Sequence, residues 1–425
     1  MATEDVRRAV AGHRDEMVAL LRELVRIPSI SGTEAENEIQ ALLADRFGAA
    51  GLDVDHWPID LDAVLTASDA PGVEVHRERA HGLVARLAGT EPEPAAALMF
   101  NGHVDVVPPG DPEAWARAPF GGDWVDGSVH GRGACDMKGG LVAAFWAVRS
   151  IQALGLTPPH DILLACVQGE EDGGLGTYAL LERGWTAGAC VIPEPTGLGI
   201  VPANAGALTF RLRVTGRATH ASRRLEGVSA VERFVPVLAA LQALEAHRNA
   251  EVDPLLAVWE LPYPLSIGTV TAGDWASSVP DLLVAEGRLG VALDEPVAEA
   301  REALEAAVAD VCAADPWLRD HPVGVEWWGG QFASGRLASG SDLVARVAAA
   351  HVGATGGAEP AVWGAPYGSD LRLLVGKGGI PTVQYGPGDA ALAHSALEQV
   401  RVDEVASVAL ALGLLALEGG RASPP

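Results

Sequence analysis

Two imidazoles and three carboxylates stand just beyond apolar runs in this chain: His103, Asp136, Glu171, Glu194 and His394. Such donors suit zinc, and cobalt or manganese accept the same set. Five exceed what one tetrahedral ion needs. They suffice for two divalent ions if one carboxylate bridges them and leaves room for a shared water. A divalent ion lowers the pKa of its water toward neutrality and makes hydroxide available near pH 7. Glu170 directly precedes Glu171. Neighbours in extended chain point opposite ways, so one carboxylate can hold metal while the other takes a proton from the water. In Gly102-His103-Val104-Asp105 the histidine and aspartate stand two apart, on one side of an extended chain. Asp105 is then placed to accept from the imidazole nitrogen that faces away from the metal, which fixes the tautomer.

The elements that must position these groups follow from apolar spacing. Residues 6–26 carry helical periodicity, stopped by Pro28-Ser29. Thr33-x-x-Glu36 has capping-box spacing and opens a second helix that Gly51 closes. Residues 60–80, with Pro71-Gly72, read as a loop or insertion. Strands are predicted over 81–88 and 96–100, and the glycine-rich turn 131–140 leads into an apolar helix over 141–154. A buried strand over 161–167 ends at Gly169-Glu170-Glu171-Asp172, and another over 189–192 ends at Pro193-Glu194-Pro195. Strands alternating with helices predict an α/β fold, a mainly parallel sheet flanked by helices, with sites at the carboxyl ends of the strands. Each acidic motif falls at such an end.

From residue 207 the pattern changes. Strands at 208–215, 267–271, 282–291 and 323–328 and helices at 228–246 and 297–313 give the order βαββαβ. That order predicts an inserted α+β domain of ferredoxin-like type. After 331 the alternation resumes, with a buried strand at 380–385. The expected organisation is a catalytic domain over 1–206 and 331–425, interrupted by an insert over 207–330.

Composition narrows the class. The chain has 425 residues, 48% hydrophobic and 20% charged, as in a globular protein with a sizeable core. A formal net charge of −26 without basic clusters argues against nucleic acid or an anionic membrane as partner, and fits either solubility or a salty habitat. No basic segment followed by an apolar run opens the sequence, and no apolar stretch is long enough to span a bilayer. Cys135, Cys166, Cys190 and Cys312 have no C-x-x-C spacing and read as reduced thiols, so the expected compartment is the cytoplasm. Lys138 and Lys377 are the only lysines, and Lys138 lies two residues after Asp136, in the candidate site or there by chance.

Together these motifs resemble the M20 metallopeptidase family, which includes acetylornithine deacetylase, succinyl-diaminopimelate desuccinylase, aminoacylases and dipeptidases. The matching pieces are Gly102-His103-Val104-Asp105, Gly131-Arg132-Gly133 through Asp136-Met137-Lys138-Gly139-Gly140, and Glu170-Glu171. Further matches are Glu194-Pro195-Thr196, Gly216-Arg217-Ala218-Thr219-His220-Ala221, and Gly386-Pro387-Gly388-Asp389 with His394, so the likeness covers almost the whole length. The resemblance implies that His103 and Glu194 bind one ion, Glu171 and His394 the other, and Asp136 bridges them. Two divalent ions, zinc first, are the implied cofactors. It implies Asp105 as the orienting residue, Glu170 as general base and later acid to the leaving amine, and a cis peptide between Asp136 and Met137. The insert would be the family's lid. Its His220 would swing in, or cross from a partner in a homodimer formed through the lid, and donate to the tetrahedral oxyanion.

The chain departs from the family in that insert. Many members carry Asn three residues before a Val-Pro step's proline and an arginine ten residues after it; here these positions are Ser277 and Gly290, about Pro280. The family arginine often grips the substrate carboxylate, so another cation is needed: Arg372, beyond the Ser369-Asp370 turn, or Arg288, on the same strand face as Gly290. The leading reading is a two-metal amidohydrolase, acetylornithine deacetylase-like, removing the acyl group from an N-acyl amino acid. A dipeptidase with the same chemistry is the alternative. A catalytically silent binding protein is disfavoured because no ligand or base is missing, and a serine hydrolase because there is no G-x-S-x-G elbow. The other nine histidines match no ligand position, Cys135 reads as a structural thiol, and Trp327, Trp328 and Trp363 as packing.

Overall fold

Residues 2–91, 93 and 97–418 are described by a computed structural model of the chain. Six strands form the main sheet: β1 (Asp53–Pro58), β2 (His81–Leu87), β3 (Leu98–His103), β4 (Ile162–Val167), β5 (Ala189–Ile192) and β6 (Thr382–Gln384). Their order is β1-β2-β4-β3-β5-β6. β3 runs parallel to β4 and β5, and β5 to β6, whereas β1–β2 and β2–β4 are antiparallel. The sheet is therefore mainly parallel, as the alternation of elements predicts. Strands β3, β4 and β5 are buried along their whole length, which is why they read as unbroken apolar runs.

Side-chain alternation splits these strands between two cores. In β4, Ile162, Leu164 and Cys166 pack with helices Gly139–Ala153 and Val402–Leu417 on one face. Leu163, Ala165 and Val167 pack with Leu180, Leu371 and Leu374 on the other. Helices thus cover both faces, and the carboxyl ends of β3, β4, β5 and β6 lie on one side of the sheet.

The sequence-based elements need several corrections. The helix expected over 6–26 is two helices, Ala2–Gly12 and Arg14–Arg26. Gly12, a poor helix former, ends the first, and His13 leaves helical geometry to stack on Trp146 at 4.8 Å. The capping box at Thr33 does not form: the Thr33 hydroxyl donates to Ile30 O, and Glu34 caps helix Ala35–Ala49 with helical φ/ψ. Glu36 is instead buried against Arg77. The 60–80 loop contains a short helix, Leu61–Thr66, capped by Asp60 accepting from Ala63 N. Strand β3 starts at Leu98 and runs on to His103; Ala96 lies outside the described residues. The strand expected over 380–385 shortens to Thr382–Gln384.

The chain folds as two compact units. The first comprises Met1–Ala203, Arg336–Trp363 and Asp370–Pro425, the second Asn204–Gly335 and Gly364–Ser369. The insert thus begins before 207 and ends after 330, and it also claims Gly364–Ser369, which the sequence reading left in the catalytic domain. Its sheet has the order Leu265–Ala272, Leu282–Val291, Gly206–Thr215, Gly324–Phe332, with every neighbouring pair antiparallel. Leu208, Phe210, Leu212 and Val214 alternate onto the face that packs helices Ala230–Arg248 and Val297–Ala314. The βαββαβ order and this strand order are those of a ferredoxin-like sandwich. Among the described residues no helix is long and apolar enough to cross a membrane.

Candidate metal centre

All five predicted donors lie in the first unit, and the structure brings them together. His103 is the last residue of β3, Glu170 and Glu171 follow β4, Glu194 follows β5, and His394 lies beyond β6. Asp136 sits in the turn Ala134–Lys138 that leads into helix Gly139–Ala153, and its bond to Met137 is cis. One oxygen of Asp136 lies 3.1 Å from His103 Nε2, and the other 3.5 Å from His394 Nε2. Glu194 stands 3.7 Å from His103 Nε2, and Glu171 3.1 Å from His394 Nε2. The five donors therefore form two groups that share Asp136.

The donor chemistry fits divalent ions. Donor atoms of His103, Asp136 and Glu171 lie within 4.8 Å of one another. The acid load makes the pocket favour positive charge. Burial opposes a charged His103, yet the hydrogen bond to Asp136 and the nearby Glu194 raise its pKa well above the usual value. Asp136 and Glu171 push His394 up to about 11. Burial works to raise Asp136, but hydrogen bonds from His103 and His394 hold it well below the ordinary range. Glu194 is raised by burial, against the pull of His103. Glu171 is raised by burial and by Asp136. Glu170 is pushed well above the carboxylate range by burial, with Asp370, Glu194 and Glu171 adding and His103 opposing.

Asp105 makes contacts beyond the one expected. His103 Nδ1 donates to the backbone carbonyl of Asp105 at 2.9 Å, while the nearest carboxylate oxygen is 3.8 Å away. The two side chains are within ion-pair reach, but the backbone carbonyl is the closer acceptor. The tautomer is still fixed, with Nε2 turned to the donors. The Asp105 carboxylate accepts instead from the backbone N–H groups of Glu170 and Glu171, each at 3.2 Å. It anchors the acidic pair.

The expected substrate cations fare unequally. Arg372 is buried, donates to Gly173 O at 2.6 Å and faces Asp370 at 3.9 Å, so its guanidinium is committed within the first unit. These contacts compete with the expected grip on a substrate carboxylate. Ser369 is buried in the second unit, its hydroxyl 3.3 Å from Asn204 Oδ1. Arg288 is exposed, with its guanidinium over the Phe332 ring at 5.7 Å. No side chain fits at Gly290: an added Cβ would lie 2.8 Å from the Tyr263 backbone. His220, also in the second unit, is exposed, and its Nδ1 accepts from Ser222 N–H at 3.2 Å. That leaves the Nε2 of a neutral ring as donor. Lys138 is structural: its buried ammonium donates to the carbonyls of Leu24 and Ile27 at the end of helix Arg14–Arg26.

Sequence reasoning missed Glu398. It is buried, pairs with Arg132, and accepts from the backbone N–H of Cys135 and Asp136, both at 3.3 Å. It thereby fixes the turn that presents Asp136. Its only signal was position, four residues after His394.

The chain is similar to known proteins over most of its length. The family described as Peptidase family M20/M25/M40 matches residues 99–418. The chain is 27% identical to N-formyl-4-amino-5-aminomethyl-2-methylpyrimidine deformylase of Halalkalibacterium halodurans, over 95% of this chain and 94% of that protein. It is 30% identical to succinyl-diaminopimelate desuccinylase of Rhodospirillum centenum, over 91% of this chain and 93% of that one. Among solved structures, human carnosine dipeptidase 1 superposes with a TM-score of 0.74 over 98% of this chain and 99% of that one, at 18% identity, a likeness of fold.

Proposed function

Because the chain belongs to peptidase family M20/M25/M40, a metal-dependent hydrolase of amide bonds, we propose that it removes the acyl group from an N-acyl amino acid at a two-ion centre. The observation that carries this reading is Asp136, with one oxygen toward each imidazole and a separate carboxylate beside each. His103, Glu194 and Asp136 would hold one ion, and His394, Glu171 and Asp136 the other. Zinc is the first candidate, with cobalt and manganese acceptable to the same donors. When bound, such ions polarise the amide carbonyl and lower the pKa of a water. Glu170 takes the proton from the attacking water and returns it to the leaving amine. A carboxyl raised by burial suits that cycle, because it must hold the proton before returning it. Asp105 holds the backbone of Glu170 and Glu171 while this happens. The family resemblance gives the role of oxyanion donor to His220, of this chain or of a partner. The four cysteines, all free and buried, suit a reducing cytoplasm.

A second reading has a specific observation behind it. The family arginine position is Gly290, closed by Tyr263, and Arg372 is committed internally. A substrate without a carboxylate needs neither, and the deformylase that this chain resembles is named for such a compound. Arg288 is the remaining candidate grip for an acidic substrate. The test is a turnover panel of N-acetyl and N-succinyl amino acids, their carboxamides, the N-formyl aminomethylpyrimidine and dipeptides, each with Zn²⁺, Co²⁺ or Mn²⁺. Preference for the N-acyl amino acids supports the first reading. Preference for the carboxamides or the formyl pyrimidine establishes the second, and hydrolysis of dipeptides alone makes the protein a dipeptidase.

A further inference from the structure

The segment after helix Leu61–Thr66 has no helix or strand until β2, and its sequence reads as an insertion. Yet it carries Arg77, whose side chain is 3% exposed. The guanidinium makes two forks. Nε and Nη2 donate to Glu36 at 2.9 and 3.0 Å, and Nη1 and Nη2 donate to Asp172, both at 2.9 Å. Glu36 lies on helix Ala35–Ala49 and also accepts from Gly32 N–H at 2.8 Å. Asp172 lies two residues beyond Glu170, and accepts from the N–H groups of Glu74 and Val75 at 3.1 and 3.2 Å. The two backbones are in contact, since a Cβ on Gly173 would fall 2.0 Å from Gly72 O. The loop that carries Glu170 is thus gripped through Asp105 at its start and through Asp172 just after it.

We propose that Arg77 is a positioning residue for Glu170, and that residues 71–77 are a strap that sets the placement of the general base; this rests on Glu170 being that base. A planar guanidinium can serve two carboxylates bidentately and lock both in one geometry. Without it, two buried carboxylates face each other with no cation between them, and the backbone that carries Asp172 loses the side chain that ties it to helix Ala35–Ala49. A shift of about 1 Å in a reacting group is enough to lose roughly 10²-fold in rate.

The test is a double-mutant cycle read together with amide hydrogen exchange on the metal-free protein. Arg77→Met lowers kcat about 10²-fold with little change in KM, and speeds exchange in the peptide covering 169–174. In a Glu170→Ala background the same substitution causes little further loss, because residues that act as a unit are not additive. Arg77→Lys keeps the charge without the fork and behaves as Met does. If Arg77→Met does not fold, Glu36→Gln takes its place in the cycle, since it weakens one fork and keeps an acceptor for Gly32. Wild-type kcat in Arg77→Lys, unaltered exchange at 169–174, or a full multiplicative loss in the Glu170→Ala background would each overturn the proposal. Wild-type kcat in Glu170→Ala alone would remove the reading beneath it, and is told apart because that variant leaves Arg77 intact.

Discussion

The Asp136 cluster and the His220 loop are built in opposite ways. Around Asp136, the donors follow buried strands or lie in turns, and further groups hold several of them in place. Asp105 holds Glu170 and Glu171, Glu398 holds Asp136, and the carbonyl of Asp105 holds His103. The His220 segment is exposed, as is the short 3-10 turn Ala221–Glu226 after it, and the imidazole is tied to neighbouring Ser222. One region has its geometry fixed before a substrate arrives. The other offers a donor on a loop, with Leu225 92% exposed. The contrast teaches where preorganisation is concentrated: in the groups proposed to bear or exchange charge, and less in the group proposed to stabilise charge as it develops.

This contrast can be broken in stages. Exhaustive chelation removes what the first region is built to hold, so amide hydrolysis should fall to background and return on adding Zn²⁺, Co²⁺ or Mn²⁺. Turnover that survives chelation would end the metal reading. His220→Ala should lower kcat by about 10²-fold, the usual worth of one oxyanion donor, and leave metal content as it was. A raised KM with normal kcat would mean that His220 binds substrate and transition state alike. Asp105→Asn keeps one acceptor for the Glu170–Glu171 backbone and loses its charge. Steady-state assay should show kcat down roughly tenfold, the equivalent of one weakened charged hydrogen bond. Metal affinity lost in step with kcat would instead make Asp105 a support of His103. Arg372→Ala has the smallest expected effect on selectivity. It should lower stability by roughly 3 kcal/mol through loss of a buried charge partner, measured by denaturant melts. The preference for an N-acyl amino acid over its carboxamide should stay unchanged. A collapse of that preference would restore Arg372 as the substrate's grip.

Much of this was legible in the sequence because parallel strands announce themselves. Apolar runs closed by Gly-Glu-Glu or Pro-Glu-Pro mark strand ends, and strand ends of one sheet share a side. That pattern reaches His103, Glu171 and Glu194, whereas Asp136 lies in a turn and His394 well beyond β6. The role of Asp105 was hidden because the N–H groups its carboxylate accepts from, those of Glu170 and Glu171, are far away in sequence. The commitment of Arg372 depends on Gly173, far away in sequence, and closure at Gly290 depends on Tyr263. Glu398 and Arg77 are single charged residues with no spacing of their own; only tertiary contact gives them partners. The grouping of Gly364–Ser369 with the second unit has no signal in the sequence, because a short loop carries no periodicity to assign it.

The central claim is that the five donors form one two-ion centre with Asp136 shared. Metal content per chain, measured on the reconstituted wild type beside His394→Ala and Asp136→Ala, tests it most directly. The account predicts two ions in the wild type, one in His394→Ala and a loss from both positions in Asp136→Ala. A wild type that saturates with a single ion, or an Asp136→Ala variant that still holds two, would contradict it.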